Sequence, residues 1–387
     1  MFHITNEELQ SKQALHTVSE IIQQPEVWEK LRHTLLEQQG IWEPFLSSIY
    51  EKHEYVRIIF TGAGTSAFIG DTITPFLRSR NQKHVQFDSI ATTDIVASPN
   101  EYLQEDVPTI LVSFARSGNS PESVAATKLG ERLVTDFYQV IITCNKEGQL
   151  ATGTKEDNNA ITILMPDRAH DKGFAMTSSF TCMLISAYTL FTSDDLDHSV
   201  IEAARELISN LSTPLTGICD FEFERIIYLG SGMLGPLSRE ASLKMLELSA
   251  GTVVALYESS LGFRHGPKFV LNDKSVVVLF LSQDCYTRKY DMDILREIAD
   301  SPAQPKIIAV TTDQDSTVET LSDWVISVSS SYNIPTDDFH AAILYIIFAQ
   351  GLALQKSLKL GITPDNPSPD GSVNRVVQGV TIYEYHK

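Results

Sequence analysis

The sequence predicts an α/β protein made of two tandem doubly wound domains, each a parallel sheet layered between helices. Three observations predict it. Short apolar runs rich in β-branched residues recur along the chain. The runs of the second half follow those of the first in the same order and at nearly one offset. Helical stretches fall between them, as at Pro121 to Phe137 and Pro236 to Ala250. A run that is apolar throughout, rather than alternating, suits a strand covered on both faces of a parallel sheet.

The elements correspond one by one. Arg57-Ile-Ile-Phe-Thr-Gly-Ala-Gly64 returns as Arg225-Ile-Ile-Tyr-Leu-Gly-Ser-Gly232, an offset of 168. Thr109-Ile-Leu-Val-Ser113 is answered by Val276-Val-Val-Leu-Phe280, and Gln139-Val-Ile-Ile-Thr-Cys144 by Lys306-Ile-Ile-Ala-Val-Thr311, both at an offset of 167. Ala160-Ile-Thr-Ile-Leu164 is answered by Trp324-Val-Ile-Ser-Val328. Strand, loop, helix, strand in series gives βαβ units and a three-layer αβα sandwich of flavodoxin-like type. This places one domain at 45–205 and a second at 215–362, joined at Ser212-Thr-Pro214. Residues 1–44 read as helices packed on the outside. The arm 363–387 opens with Pro364, Pro367, Pro369 and Gly371, so it leaves as irregular chain.

Length and composition agree with two cores. A chain of 387 residues exceeds what one core serves, and 43% hydrophobic with 20% charged residues is an ordinary globular balance. The net charge of −19 argues against a nucleic-acid or anionic-membrane partner. Any phosphate must therefore be held locally, by backbone N–H groups and hydroxyls. Four scattered cysteines without metal-type spacing read as reduced thiols, which points to the cytoplasm. No apolar signal core opens the chain, and no uninterrupted apolar run suggests a membrane span.

Ligands of open α/β sheets bind beyond the carboxyl ends of the strands, so the loops after the runs are the places to look. The first is Thr61-Gly-Ala-Gly64-Thr65-Ser66; the next is Ser113-Phe-Ala-Arg116-Ser117-Gly-Asn119-Ser120, followed by Pro121. Small residues let backbone N–H groups approach a phosphate, hydroxyls add donors, and the helix that follows adds its dipole. Read alone, Ser120-Pro-Glu-Ser is also an ordinary helix N-cap. The second copy separates the readings. Its loop, Ser282-Gln-Asp-Cys-Tyr-Thr-Arg288, is bulky and acidic, so folding does not itself require the serine-rich turn. A dinucleotide reading competes, because Gly230-Ser-Gly232-Met-Leu-Gly235 and Gly62-Ala-Gly64-Thr-Ser-Ala67 match or nearly match its glycine pattern, with Glu258 and Asp88 downstream. Glycines are equally required wherever a strand turns tightly into a helix.

Two elements can move protons. Glu240, Lys244 and Glu247 fall at i, i+4 and i+7 of a predicted helix and share one face. Such a stripe is usually a solvated surface. Here it lies among Leu243, Leu246 and Leu248, where a carboxylate partly withdrawn from water can serve as a general base. The other element is Leu261-Gly-Phe-Arg-His265-Gly-Pro267, a loop whose glycines and proline can aim an imidazole.

Together, Gly62-Ala-Gly-Thr-Ser66, Arg116-Ser-Gly-Asn-Ser120, Phe174-Ala-Met-Thr-Ser-Ser-Phe-Thr181, Glu240-Ala-Ser-Leu-Lys-Met-Leu-Glu247 and Arg264-His-Gly-Pro267 resemble the sugar isomerase (SIS) domain family. Their order is similar to the isomerase half of glucosamine-6-phosphate synthase. The tail from Asp365 to Tyr383 resembles more narrowly the tagatose-6-phosphate ketose/aldose isomerase, or galactosamine-6-phosphate deaminase, subgroup. The resemblance implies that Gly64, Thr65, Ser66, Arg116, Ser117, Asn119 and Ser120 hold a sugar phosphate, with Lys244 and Gln378 also at the substrate. It implies that Glu247 shuttles a proton between C1 and C2. It further implies that His265 assists ring opening from the neighbouring subunit of a homodimer, without metal or other cofactor. Gln378 stands where the synthase has its Schiff-base lysine, and the resemblance does not extend to a glutaminase domain. The expected reaction is galactosamine 6-phosphate to tagatose 6-phosphate plus ammonia. The alternatives are an isomerase of a non-amino sugar phosphate and a non-catalytic sugar-phosphate sensor.

Overall fold

The computed structural model describes residues 5–80, 84–329, 331–377 and 379–386. It contains two five-stranded, wholly parallel sheets. The first consists of β1 (Val56–Thr61), β2 (Val85–Ser89), β3 (Thr109–Ala115), β4 (Phe137–Thr143) and β5 (Ala160–Leu164), in the order β2-β1-β3-β4-β5. The second consists of β6 (Arg225–Gly230), β7 (Val254–Ser259), β8 (Ser275–Phe280), β9 (Lys306–Thr311) and β10 (Trp324–Ser327), in the order β10-β9-β8-β6-β7. Read from β7, this is the same winding, the doubly wound order in which the strand sequence reverses beside the first strand.

All eight apolar runs are strands. The two strands that did not stand out, β2 and β7, are the edge partners of β1 and β6. Gln86 and Asp88 break the apolar pattern of β2, and the apolar run of β7, Val254-Ala-Leu-Tyr257, therefore has no counterpart in the first half. The register also corrects one equivalence. Arg57 faces Thr109 and Arg225 faces Ser275, so Ser275 answers Thr109, one residue earlier than the comparison of runs puts it.

By contact, the chain divides into two compact units, neither of them continuous in sequence. The first-sheet unit comprises residues 27–171, 178–195 and the arm from Asp370. Its core stacks Phe60 on Phe87 and Phe114, with Phe191 edge-on at 5.2 Å. The helix Gln24–Glu37 contributes Trp28, which is fully buried and donates its indole N–H to Thr181 Oγ1. It is a core component rather than an outer covering, because Val27, Trp28, Leu31 and Leu35 line one apolar face. The arm has no helix or strand among its described residues, yet Tyr385 packs against the cluster around Ile59 and Leu111 and bonds Asn100 at 2.7 Å.

The second-sheet unit takes the described residues up to Glu26, then 172–177 and 196–369. The helix His198–Asn210 belongs to it, although the expected boundary placed most of that segment with the first domain. The expected linker at Ser212 opens a helix, Ser212–Asp220, with Pro214 in its first turn, where a missing N–H costs nothing. The helix Asp338–Lys359 is long and apolar enough to cross a membrane. It is instead the core helix of this unit, packed on the helix Leu234–Leu248, with Tyr345 donating to Leu281 O at 2.8 Å.

Candidate active site

Each unit carries half of the expected machinery. In the first-sheet unit, β1 and β3 are neighbours and Thr61 faces Ser113, so both expected phosphate loops leave the same end of adjacent strands. Gly64, Thr65 and Ser66 form the turn into the helix Thr65–Ser79, with Gly64 at its N-cap. Arg116, Ser117, Asn119 and Ser120 form the turn into the helix Pro121–Leu133. Ser120 takes the N-cap position in extended backbone, but its hydroxyl makes no capping bond. The N-cap explanation therefore does not account for this serine.

The second turn is braced from behind. Asn145 Nδ2 donates to Ser117 O at 2.8 Å, Gln149 N to Asn119 Oδ1 at 3.0 Å and Leu150 N to Gly118 O at 3.1 Å. A Cβ on Gly148 would stand 2.6 Å from Ser117 O, so the supporting loop must approach as bare backbone. Thr61 and Ser113 open the two expected loops but are not among the expected site residues. Their hydroxyls are buried near the ends of β1 and β3 and have no hydrogen-bond partner among the described residues. Arg116 is itself buried and donates to Arg375 O at 3.1 Å, while Arg375 donates to Asp171 O. The arm thus lies against the serine-rich turn. Gln378 lies outside the described residues.

In the second-sheet unit, Glu240, Lys244 and Glu247 share one face of the helix Leu234–Leu248. Lys244 Nζ lies 3.3 Å from Glu240 Oε1 and 2.6 Å from Glu247 Oε2. Glu240 and Lys244 are completely buried, and the Glu247 side chain is 22% exposed. The solvated-stripe reading therefore fails. Burial would push the Lys244 ammonium down, but the two flanking carboxylates outweigh it and raise its pKa above the ordinary lysine value. The face presents a carboxylate at the surface, oriented by a buried cation.

His265 is exposed between two short 3₁₀ turns, Gly262–Arg264 and Pro267–Val270. Gly266 that follows has φ 122°, a conformation side chains resist. Phe263 is buried beneath the loop, and Arg264 and Lys268 are paired with carboxylates of the helix Thr287–Ala299.

The second copy of the serine turn is filled by its own acids. Asp291 is fully buried and accepts from Ser231 Oγ at 2.5 Å, Ser260 Oγ at 2.6 Å and Ser282 N at 3.0 Å. Asp338 accepts from Gln283 N at 2.6 Å and Ser282 Oγ at 2.7 Å. Asp284 accepts from Thr287 N, and more weakly from Tyr286 N, which holds its carboxyl below the usual range. Donors that could meet a phosphate in the first copy here meet carboxylates. The dinucleotide reading loses its support as well. Burial works to raise the Asp88 carboxyl, but bonds from Arg57 Nε at 2.6 Å, Gln86 Nε2 at 2.8 Å and Arg78 Nη2 at 2.7 Å together lower it. A Cβ on Gly62 would stand 2.6 Å from Ser66, and one on Gly230 2.5 Å from Leu234 O. Strand-to-helix packing is enough to require both glycines.

The SIS domain family model matches residues 49–193 and 221–358, one match on each sheet. The chain belongs to the SIS domain family. Among relatives of these SIS units, the D-galactosamine-6-phosphate deaminase AgaS of Escherichia coli is 41% identical over 377 residues, covering 95% of this chain and 96% of that protein. The D-galactosamine-6-phosphate deaminase AgaS of Shewanella sp. (strain ANA-3) is 39% identical over 390 residues, covering 99% and 96%. The crystal structure of tagatose-6-phosphate ketose/aldose isomerase from Escherichia coli superimposes with a TM-score of 0.87 at 38% identity, covering 96% of this chain and 97% of that one. The SIS repeat thus accounts for the duplication, and the two copies have diverged at the loops where ligands bind.

Proposed function

We propose that this SIS protein is a sugar-phosphate isomerase/deaminase that converts D-galactosamine 6-phosphate to D-tagatose 6-phosphate and ammonia. The observation that carries the reading is the charged face of the helix Leu234–Leu248, a partly exposed carboxylate paired with a buried ammonium. The substrate follows from near-full-length relatives that bear that activity in their names. The turns at Gly64-Thr65-Ser66 and Arg116 to Ser120 hold the phosphate, with Asn119 shaping the second turn, and Lys244 orients Glu247 toward the sugar. His265 assists ring opening. Glu247 then removes the C2 proton from the open aldehyde, giving an enaminol, and returns it at C1. The C2 imine that results takes up water and releases ammonia, leaving the ketose. Charge that develops on O1 is met by positioned donors, so the proposed route uses no cofactor.

Incubation with galactosamine 6-phosphate should yield ammonia and tagatose 6-phosphate in equal amounts, read by a coupled ammonia assay and ketose analysis. Glucosamine 6-phosphate run in parallel tests the C4 preference. Ketose formation only from non-amino aldose phosphates would favour the plain isomerase. Tight binding without turnover would favour a sensor.

The same reading includes a cytoplasmic homodimer in which His265 serves the neighbouring subunit's site. Its support is the edge strand β7, which leaves Val254, Leu256 and Tyr257 exposed, and Phe269 beyond His265, which is 97% exposed. Such an apolar edge calls for a cover. Leu256→Asp should shift the protein toward monomer in analytical ultracentrifugation and lower activity in step. A fully active monomer would rule out the shared site.

A further inference from the structure

We propose that Glu297, on the helix Thr287–Ala299, is a positioning residue that fixes the loop carrying His265. The proposal rests on the reading that His265 assists ring opening. The geometry is a two-point clamp. Glu297 Oε2 lies 2.6 Å from Arg264 Nε, and its Oε1 lies 2.6 Å from Lys268 Nζ. These partners stand immediately before His265 and three residues after it. Asp293, one turn earlier on the same helix, adds a bond to Arg264 Nη2 at 2.8 Å. Two residues before Asp293, Asp291 receives Ser260 Oγ, where the chain enters the loop.

The rest of the loop has little to hold it. Phe263 anchors one end in the core and Val270 packs at the other, while His265, Gly266, Pro267 and Phe269 between them are exposed. Between those apolar anchors, the side-chain ties of the loop are the ion pairs of Arg264 and Lys268 to one helix. Glu297 is the acid that engages both cations at once. These pairs are about one-third exposed, so they contribute little to global stability. Their role is to set where the imidazole stands, and small displacements of an acid–base group are costly to rate.

Glu297→Gln is expected to lower kcat on galactosamine 6-phosphate about tenfold, with KM and Tm nearly unchanged, because binding and folding do not use the clamp. Glu297→Asp, which keeps the charge, should recover part of that loss. An acyclic analogue, 2-amino-2-deoxygalactitol 6-phosphate, should inhibit wild type and Glu297→Gln with equal affinity, since it needs no ring opening. Lys268→Gln removes the other end of one bond, and the double variant should lose no more than the worse single one. Additive losses, or a Glu297→Gln kcat within about twofold of wild type while His265→Asn is impaired, would overturn the clamp and leave the role of His265 standing. An unimpaired His265→Asn enzyme would remove the role of His265 and the clamp with it.

Discussion

Glu247→Gln is expected to reduce kcat by about a thousandfold, the range lost when a general base is removed. The substitution keeps the shape of the side chain and removes the basic oxygen. The phosphate turns of the other unit are untouched, so KM should hold within a few-fold. The fold should survive, because Lys244 keeps Glu240 at 3.3 Å and the Glu247 side chain reaches solvent. The check is steady-state kinetics by ketose release, with thermal unfolding beside it. Turnover near the normal rate in the Glu247→Gln enzyme would end the proton-shuttle assignment.

Lys244→Met has the largest expected effect on stability. It removes the ammonium between two carboxylates and takes the Lys244 charge away from the fully buried Glu240, a loss of about 3–5 kcal/mol. The pH dependence has a definite sign. In wild type the Lys244 pKa is raised in the fold, so its contribution is fully present below the ordinary lysine value and fades only as pH rises through the raised one. In the variant the buried Glu240 no longer faces the Lys244 ammonium, so burial favours its neutral form. The deficit should then be smallest in acid, below the ordinary glutamate range, and grow as pH rises through it. Urea unfolding at several pH values measures this. The double variant Glu240→Gln, Lys244→Met should regain most of the loss, and a single variant as stable as wild type at neutral pH would show that the buried charges are not coupled.

The sequence revealed whatever repeats or has a strong period. Six of the eight runs were legible because central strands of a parallel sheet are apolar on both faces, as the fully buried β3 and β8 illustrate, and the edge strands β5 and β10 keep an apolar run as well. The edge strand β2 was not, since Gln86 and Asp88 interrupt it, and β7 was passed over because its run has no counterpart there. At the site, spacing put Glu240, Lys244 and Glu247 on one face but could not show that two of them are sealed from solvent. Divergence between the repeats marked the first serine turn, while Asp291, which closes its counterpart, carries no local signal at all. Its importance comes from three loops that approach it from different strands. The clamp at Glu297 was hidden for a similar reason, as its partners lie about thirty positions away.

Both compact units are assembled from separated stretches of chain, the second-sheet unit from before Glu26 as well as from beyond Leu196. Its first helix pair is tied to Asp365, whose carboxylate accepts from His16 N and Thr17 N. No single cut can therefore release either half intact. During synthesis the early helices must wait for the last strands and the core helix to emerge before they find their partners. Fragments trimmed to one family repeat would lack part of their own core, and expression of either alone should give aggregation-prone material.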